Sequence, residues 1–403
     1  MTANPLSGDS LYRDIVTYAG LGEHRTATEP DLRTSEWIAT EMKVAGFETR
    51  FLPFTTRQFF IRQTRLTIGS RSVPCFPLWP PHSTGPTPIR APLTLLPDRV
   101  QSSLRGKIAL AKFQHSANIY PGSGHEEAIS QAAKAGALAV VGIASGPSGE
   151  IVAANSPKPN PWPIPVVVVG ARDEPALTTT AEQDAEVTLL LDGTDEPWAE
   201  AKNVIGRLDG GKDFIVVSTP QSGWFRCAGE RGPGIALFLG LARWVAQRRP
   251  RINYLFVSTS GHELGGQGMR NFLRGRFPPA NEVLCWLHLG ASIATWGWEE
   301  TATGLQRRKE RRGEVSLCST PDLLPLLTSA FSGMPDLQPK TGPVSGELVL
   351  VIEAGYPSFG FFGRHRFFHT PADDPEVTAP ELLEPIAMAI AKVLETIEAK
   401  GKP

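Results

Sequence analysis

Hydrophobic positions along the second half of the chain alternate between short buried-looking runs and longer amphipathic stretches. From residue 201 on, 203–208, 214–218, 254–257, 283–287, 348–352 and 358–362 are short, apolar and rich in β-branched or aromatic residues. Bounded by Ser, Thr, Gly or Pro, they read as strands. Between them, 234–247 places Ile235, Phe238, Leu239, Ala242 and Val245 on one face of a helix, and 380–399 forms a closing helix. Strands alternating with helices predict an α/β fold with a mostly parallel central sheet flanked by helices. At the start of the chain, 10–19 and 31–45 read as helices, the second capped by Asp31 and ended by Gly46, and 47–54 as a strand.

The pattern changes between residues 57 and 192. The stretch 73–98 is Pro-rich, including Pro80, Pro81, Pro86 and Pro88, which favours loops and edge strands. Strands follow at 107–113, 138–143, 164–170 and 186–191, with a helix at 126–135. No charged or His cluster converges here. The expected organisation is therefore an α/β domain from 1–56 and 196–403, with a β-rich insert domain at 57–195.

The 403 residues carry 40 Lys and Arg against 41 Asp and Glu, a net charge of -1. That balance gives no electrostatic reason to expect nucleic acid or an anionic membrane. The basic run 307–312 reads as a solvated loop. Cys75, Cys227, Cys285 and Cys318 lie far apart, in neither a disulfide framework nor a zinc knuckle. The first residues show no signal-peptide pattern and no stretch has the length of a membrane span, so a cytoplasmic protein is expected.

The chemistry is expected around residues 254–273, where a strand ends in Ser260-Gly261-His262-Glu263 and a Gly-rich turn leads to a helix near Met269. In open α/β sheets, loops at the carboxyl ends of parallel strands converge on the ligand site. His288 and His369 also follow predicted strands, and Glu230 lies in a Gly-rich loop before the strong helix. Glu230, Glu263, His288 and His369 could thus meet as two carboxylates and two imidazoles, a donor set suited to Zn²⁺. Each is equally readable alone as a capping or ion-paired loop residue. Beside them, Arg231 could grip a substrate carboxylate, and Trp224, Phe225, Trp296 and Trp298 could wall an apolar pocket. Cys227 is a further ligand or nucleophile candidate, or an ordinary loop thiol. His365 could support His369 from behind.

Several segments resemble the M28 metallopeptidase family, which comprises zinc aminopeptidases with glutaminyl cyclases as relatives. Asn203-Val-Ile, Gly229-Glu-Arg-Gly-Pro-Gly, Phe256-Val-Ser-Thr-Ser-Gly-His-Glu-Leu-Gly-Gly-Gln-Gly268 and His369-Thr-Pro-Ala-Asp are similar to its motifs in order and spacing. The insert resembles a protease-associated (PA) domain through Gly106-Lys-Ile-Ala-Leu110, Gln131-Ala-Ala-Lys-Ala-Gly136 and Ile164-Pro-Val-Val167. The resemblance implies a metal site, with departures. Pro220 and Ser222 stand where the family has a metal His and its companion Asp. Glu230 replaces the bridging Asp, His262 the general-base Glu, and His288 an Asp of the second metal position; Glu263 and His369 are kept.

What the resemblance implies is a metal-dependent hydrolase with a remodelled site holding one zinc ion, cleaving an amide bond of a peptide or small molecule. Its metal ligands would come from Glu230, Glu263, His288 and His369 and its catalytic base from His262, unless His262 is itself a ligand; Arg231 and Trp224 remain the substrate-contact candidates read from the loops themselves. Two alternatives stay open: an inactive relative acting in binding or assembly, and an enzyme moved to lyase or cyclase chemistry. The expected partner is the substrate alone, without nucleic acid or membrane; a homo-oligomer stays open.

Overall fold

The computed structural model describes residues 4–97, 103–116, 123–156, 160–312 and 314–400, without the side chains of 304 and 309–312. The first three residues and most side chains of the basic run therefore lie outside the described residues. Internal contacts divide the chain into two compact units. The first holds the residues up to Thr56, Glu200–Phe368, and those from Asp373 on; the second holds Arg57–Ala199 and His369–Ala372.

The centre of the first unit is four neighbouring parallel strands in the order Ser358–Arg364, Val283–Leu289, Phe214–Pro220 and Asn253–Thr259. Antiparallel strands flank them: Glu314–Ser319 beside Ser358–Arg364, and residues 204–208 of Glu186–Leu208 beside Asn253–Thr259. The central strands are apolar on both faces because both faces are covered. Ile215, Val217, Tyr254 and Phe256 point into one core, which includes the helices Gly8–Gly20, Gly232–Arg248 and Pro380–Lys400. Phe214, Val216, Leu255 and Val257 point into the other, with Met269 and Phe272 of Gln267–Arg274 and Val351 of Glu347–Glu353. This is the expected mostly parallel α/β sheet flanked by helices.

Three local expectations change. Residues 348–352 belong to a helix, Glu347–Glu353, whose buried positions Glu347, Leu348 and Val351 follow helical spacing. A run of β-branched residues this short does not distinguish a strand from one buried helical turn. The basic run lies on a strand, Gly304–Arg312, paired with Trp296–Thr301 instead of forming a loop. The Arg307 guanidinium stacks 4.5 Å from the Trp296 ring, and Arg308 bonds Glu299, so these two neighbouring cations find partners across the strand pair. Finally, the helix Glu29–Ala45 has Thr28 at its N-cap position, with Asp31 buried inside its first turn.

In the second unit, Ile89–Leu95, Ile108–Phe113, Ala139–Ala144 and Val166–Gly170 are successive parallel neighbours. Cys75–Pro77 closes one edge, and residues 186–189 pair antiparallel with Ile89–Leu95. The helices Gly124–Lys134 and Glu174–Glu182 complete it, the first capped by the Ser123 hydroxyl, which accepts from the Glu126 N–H. Among the described residues, no helix is long and apolar enough to cross a membrane.

The helix Gly232–Arg248 meets Gly8–Gly20 at Gly240, where a Cβ would sit 2.5 Å from Leu11 Cδ2 and 2.9 Å from the Pro5 carbonyl oxygen. Gly240→Val should destabilise the protein by about 1–3 kcal/mol, an overpacking cost. Gly20→Ala, whose Cβ meets nothing within 4 Å, should be neutral or slightly stabilising. Thermal unfolding of the two variants checks the pair.

Candidate functional site

The carboxyl ends of Phe214–Pro220, Asn253–Thr259 and Val283–Leu289 lie side by side, as their parallel register requires. The loops after them are fixed by buried polar bonds. Gln221 donates to Asp31 Oδ1 at 3.1 Å and to Ser35 Oγ at 2.6 Å, and accepts from the Ser258 hydroxyl at 2.9 Å. The Ser260 hydroxyl donates to Asp31 Oδ2 at 2.7 Å. Burial pushes the Asp31 carboxyl up to about 6. His24 secures the next residues through its backbone: its N–H reaches the Phe225 carbonyl at 2.9 Å, and its carbonyl accepts from the Gly223 N–H at 2.8 Å.

At the middle of these loops sits a buried ion triad. Arg231 Nη2 lies 2.7 Å from Glu263 Oε1 and 2.9 Å from Glu230 Oε1, all three side chains being 3% exposed or less. Arg231 Nε donates to the Ser222 carbonyl at 2.9 Å. Burial alone lowers a guanidinium's pKa, but Glu230 and then Glu263 outweigh it and hold Arg231 above its ordinary value, so it stays charged. The Ser222 hydroxyl donates to Glu263 Oε2 at 2.9 Å and accepts from the Gly261 and His262 N–H groups at 3.0 and 3.3 Å. Asp373 binds the Gly229 and Glu230 N–H groups at 2.7 and 3.0 Å, fixing the loop from the other side.

Next to the triad stands a second pair. His262 Nδ1 lies 3.2 Å from Glu347 Oε1, with the imidazole 18% exposed and the carboxylate 1%. Thr259 Oγ1 donates to Glu347 Oε2 at 2.8 Å. Burial would raise the Glu347 carboxyl, but the hydrogen bond and charge of His262 lower it below its ordinary value. An ionised carboxylate only accepts, so Nδ1 of His262 is the donor in this contact. His288 is a strand residue, not a loop residue: it lies within Val283–Leu289, with Nδ1 2.9 Å from Ser218 Oγ, and burial lowers it to about 4. Trp286 Nε1 donates to the same hydroxyl at 2.7 Å.

Of the residues singled out in the sequence, the first unit brings together Glu230, Arg231, Glu263, His262 and His288. Arg231 is 1% exposed and its guanidinium faces carboxylates. Trp224 is 2% exposed. Cys227 is held well above its ordinary value by burial and then by Glu230 and Asp373, so it is a neutral thiol, bonded to the Phe225 carbonyl at 3.3 Å. His365 lies 3.4 Å from Asp373 Oδ2. His369 groups with the second unit, where Nδ1 lies 3.0 Å from the Ala153 carbonyl. Glu347, Ser222 and Asp31 are the members that sequence reasoning passed over as site groups. Glu347 was hidden beside a segment read as a strand; its helix is what turns the carboxylate to His262.

As it stands, this donor set does not fit a metal ion. Glu230 and Glu263 already share a cation, the Arg231 guanidinium, which contacts both carboxylates. Among the described residues, no group of three or more His, Cys, Asp or Glu side chains converges to hold a metal.

Acid sensitivity follows from the buried rings. His24 is stacked on Tyr18 at 3.8 Å and burial lowers it to about 3, so the folded state stays unprotonated where the unfolded chain binds a proton. Its contribution is fully present above pH ~6.5 and is lost toward pH 3, at up to about 1.4 kcal/mol per pH unit; His288 adds the same sign down to about 4. Asp31 works oppositely: raised to about 6, it returns stability as pH falls from about 6 to 4. His24→Gln should therefore flatten the fall in unfolding free energy between pH 6.5 and 4 by about one proton's worth. Denaturant unfolding of both proteins across that range measures it; equal slopes would contradict it.

No protein-family model matches the chain, and no curated protein does. Solved structures do. BSAP, a zinc aminopeptidase from Bacillus subtilis, is 20% identical with a TM-score of 0.76, over 98% of this chain and 96% of that one. A Peptidase M28 precursor from Shewanella amazonensis is 16% identical with a TM-score of 0.75, over 99% and 95%. Porphyromonas gingivalis glutaminyl cyclase is 10% identical with a TM-score of 0.51, over 98% and 99%. At such identities the likeness carries the fold and not the activity: this chain has the α/β fold of the M28 metallopeptidases.

Proposed function

We propose that this chain is an amide hydrolase or cyclase whose proton transfers are carried by the His262–Glu347 pair, acting on a peptide or small molecule. The observation that carries the reading is the geometry of that pair. The carboxylate is buried and ionised, it fixes the imidazole tautomer, and the imidazole is the partly exposed member. Nε2 of His262 takes a proton from an attacking water or amine; Glu347 then stabilises the imidazolium and keeps the ring aimed for returning the proton to the leaving group. The fold supports this reading, since the similar solved structures include aminopeptidases and glutaminyl cyclases. Zinc dependence, which those names suggest, is not part of the proposal, because Arg231 already pairs with the carboxylates that would hold the ion. The second unit, PA-like in sequence, is given no part in the chemistry.

A second reading, a protein that binds on this scaffold without catalysis, is favoured by the same Arg231 pairing. The two part on a screen of aminoacyl anilides and N-terminal glutaminyl peptides in the presence of EDTA. On the catalytic reading a turnover is found that EDTA leaves intact. His262→Ala lowers it by about 10²–10⁴, and Glu347→Gln lowers it by a similar or smaller factor. A turnover that EDTA abolishes, or that His262→Ala leaves unchanged, contradicts the catalytic reading. No turnover on any substrate leaves the binding reading standing.

A further inference from the structure

We propose that Arg231 is a resident cation of this centre, holding by covalent attachment the place between Glu230 and Glu263 that a divalent ion would otherwise take, so that the native protein binds no metal there. The inference does not depend on the His262 reading: one concerns what balances the buried carboxylates, the other what moves protons beside them.

The argument is one of charge. Glu230 and Glu263 are 0% and 3% exposed. Two carboxylates so far from water require a cation in contact. The same Arg231 Nη2 contacts both, at 2.9 and 2.7 Å. The guanidinium is itself anchored: Nε bonds the Ser222 carbonyl, and its backbone N–H bonds the Cys227 carbonyl at 2.8 Å. Cys227 adopts φ 53°, a left-handed conformation strained for a side chain of this kind, and this turn carries Glu230 and Arg231 inward together. Space around the anchor is closed: a Cβ on Gly223 would meet Cys227 Sγ at 2.1 Å. Entry of a metal would require the guanidinium to leave and be buried elsewhere or drawn into water, against every one of these contacts. The hydroxyl of Ser222 adds a neutral donor to Glu263, so the oxygen facing away from Arg231 is occupied as well.

The test uses the full-length protein and Zn²⁺ alone as the probe. Calorimetric titration of the wild type with Zn²⁺ should show no saturable site. Elemental analysis of protein from zinc-supplemented cells should give less than about a tenth of an ion per chain, and EDTA should leave the thermal midpoint unchanged. Arg231→Ala should lower that midpoint by on the order of 10 °C, since it strands two buried carboxylates. Either millimolar methylguanidinium or Zn²⁺ should recover part of the loss in this variant, and neither should shift the wild type. Should Arg231→Ala not fold, Arg231→Lys, which keeps the charge, should fold and remain metal-free. Stoichiometric zinc in the wild type, or an Arg231→Ala variant as stable as the wild type without added cation, overturns the proposal. Neither result depends on finding a substrate, so a failure here is distinct from a failure of the His262 assignment.

Discussion

The arrangement of the site rests on charge pairing at a place where water is excluded. Glu230, Arg231 and Glu263 come from two different loops, yet none of the three could be buried alone, because an isolated ion away from water costs several kcal/mol. Once paired, they tie the loop after Phe214–Pro220 to the turn after Asn253–Thr259. The neighbouring groups follow from that tie. Ser222 bonds Glu263 and both N–H groups of the turn at Gly261 and His262, so the direction in which His262 leaves the turn is set by the triad's position. The imidazole then meets Glu347 on the second core's helix, and His288 completes the polar patch from within the sheet.

The ionisable groups of the site therefore divide in two. One half is sealed and ion-paired; the other, His262 with Glu347, keeps a partly exposed imidazole. On the proposed reading, proton transfer falls to the second half, whose imidazole is the partly exposed member. Electrophilic activation needs an uncompensated positive charge, and the triad does not offer one, since its single cation is shared between two anions. The chemistry proposed for the chain accordingly rests on His262 and not on the Glu230 and Glu263 carboxylates.

Much of the fold was legible because burial dictates it. The central strands are continuous apolar runs, since both faces are covered, and Gly232–Arg248 shows its stripe plainly in Ile235, Phe238, Leu239, Ala242 and Val245. Residues 348–352 misled because a run that short carries no period, and the helix there is decided by what Glu347, Leu348 and Val351 bury against. Of the residues the sequence singled out, Glu230, Glu263, His262 and His288 come together in the first unit, while His369 groups with the second. The partnerships within the site were not legible. Arg231 reads as a loop cation reaching for substrate until its neighbours are known, because the carboxylate it meets across the loops, Glu263, is 32 residues away in sequence. Glu347 is 85 residues from His262, and nothing local marks it as that ring's partner.

The most direct test of the account is a crystal structure of the native protein grown with excess Zn²⁺, with anomalous data collected at the zinc edge. The account predicts continuous density for the Arg231 guanidinium between Glu230 and Glu263 and no anomalous peak at that position. An anomalous peak bridging the two carboxylates, with Arg231 displaced, would contradict it.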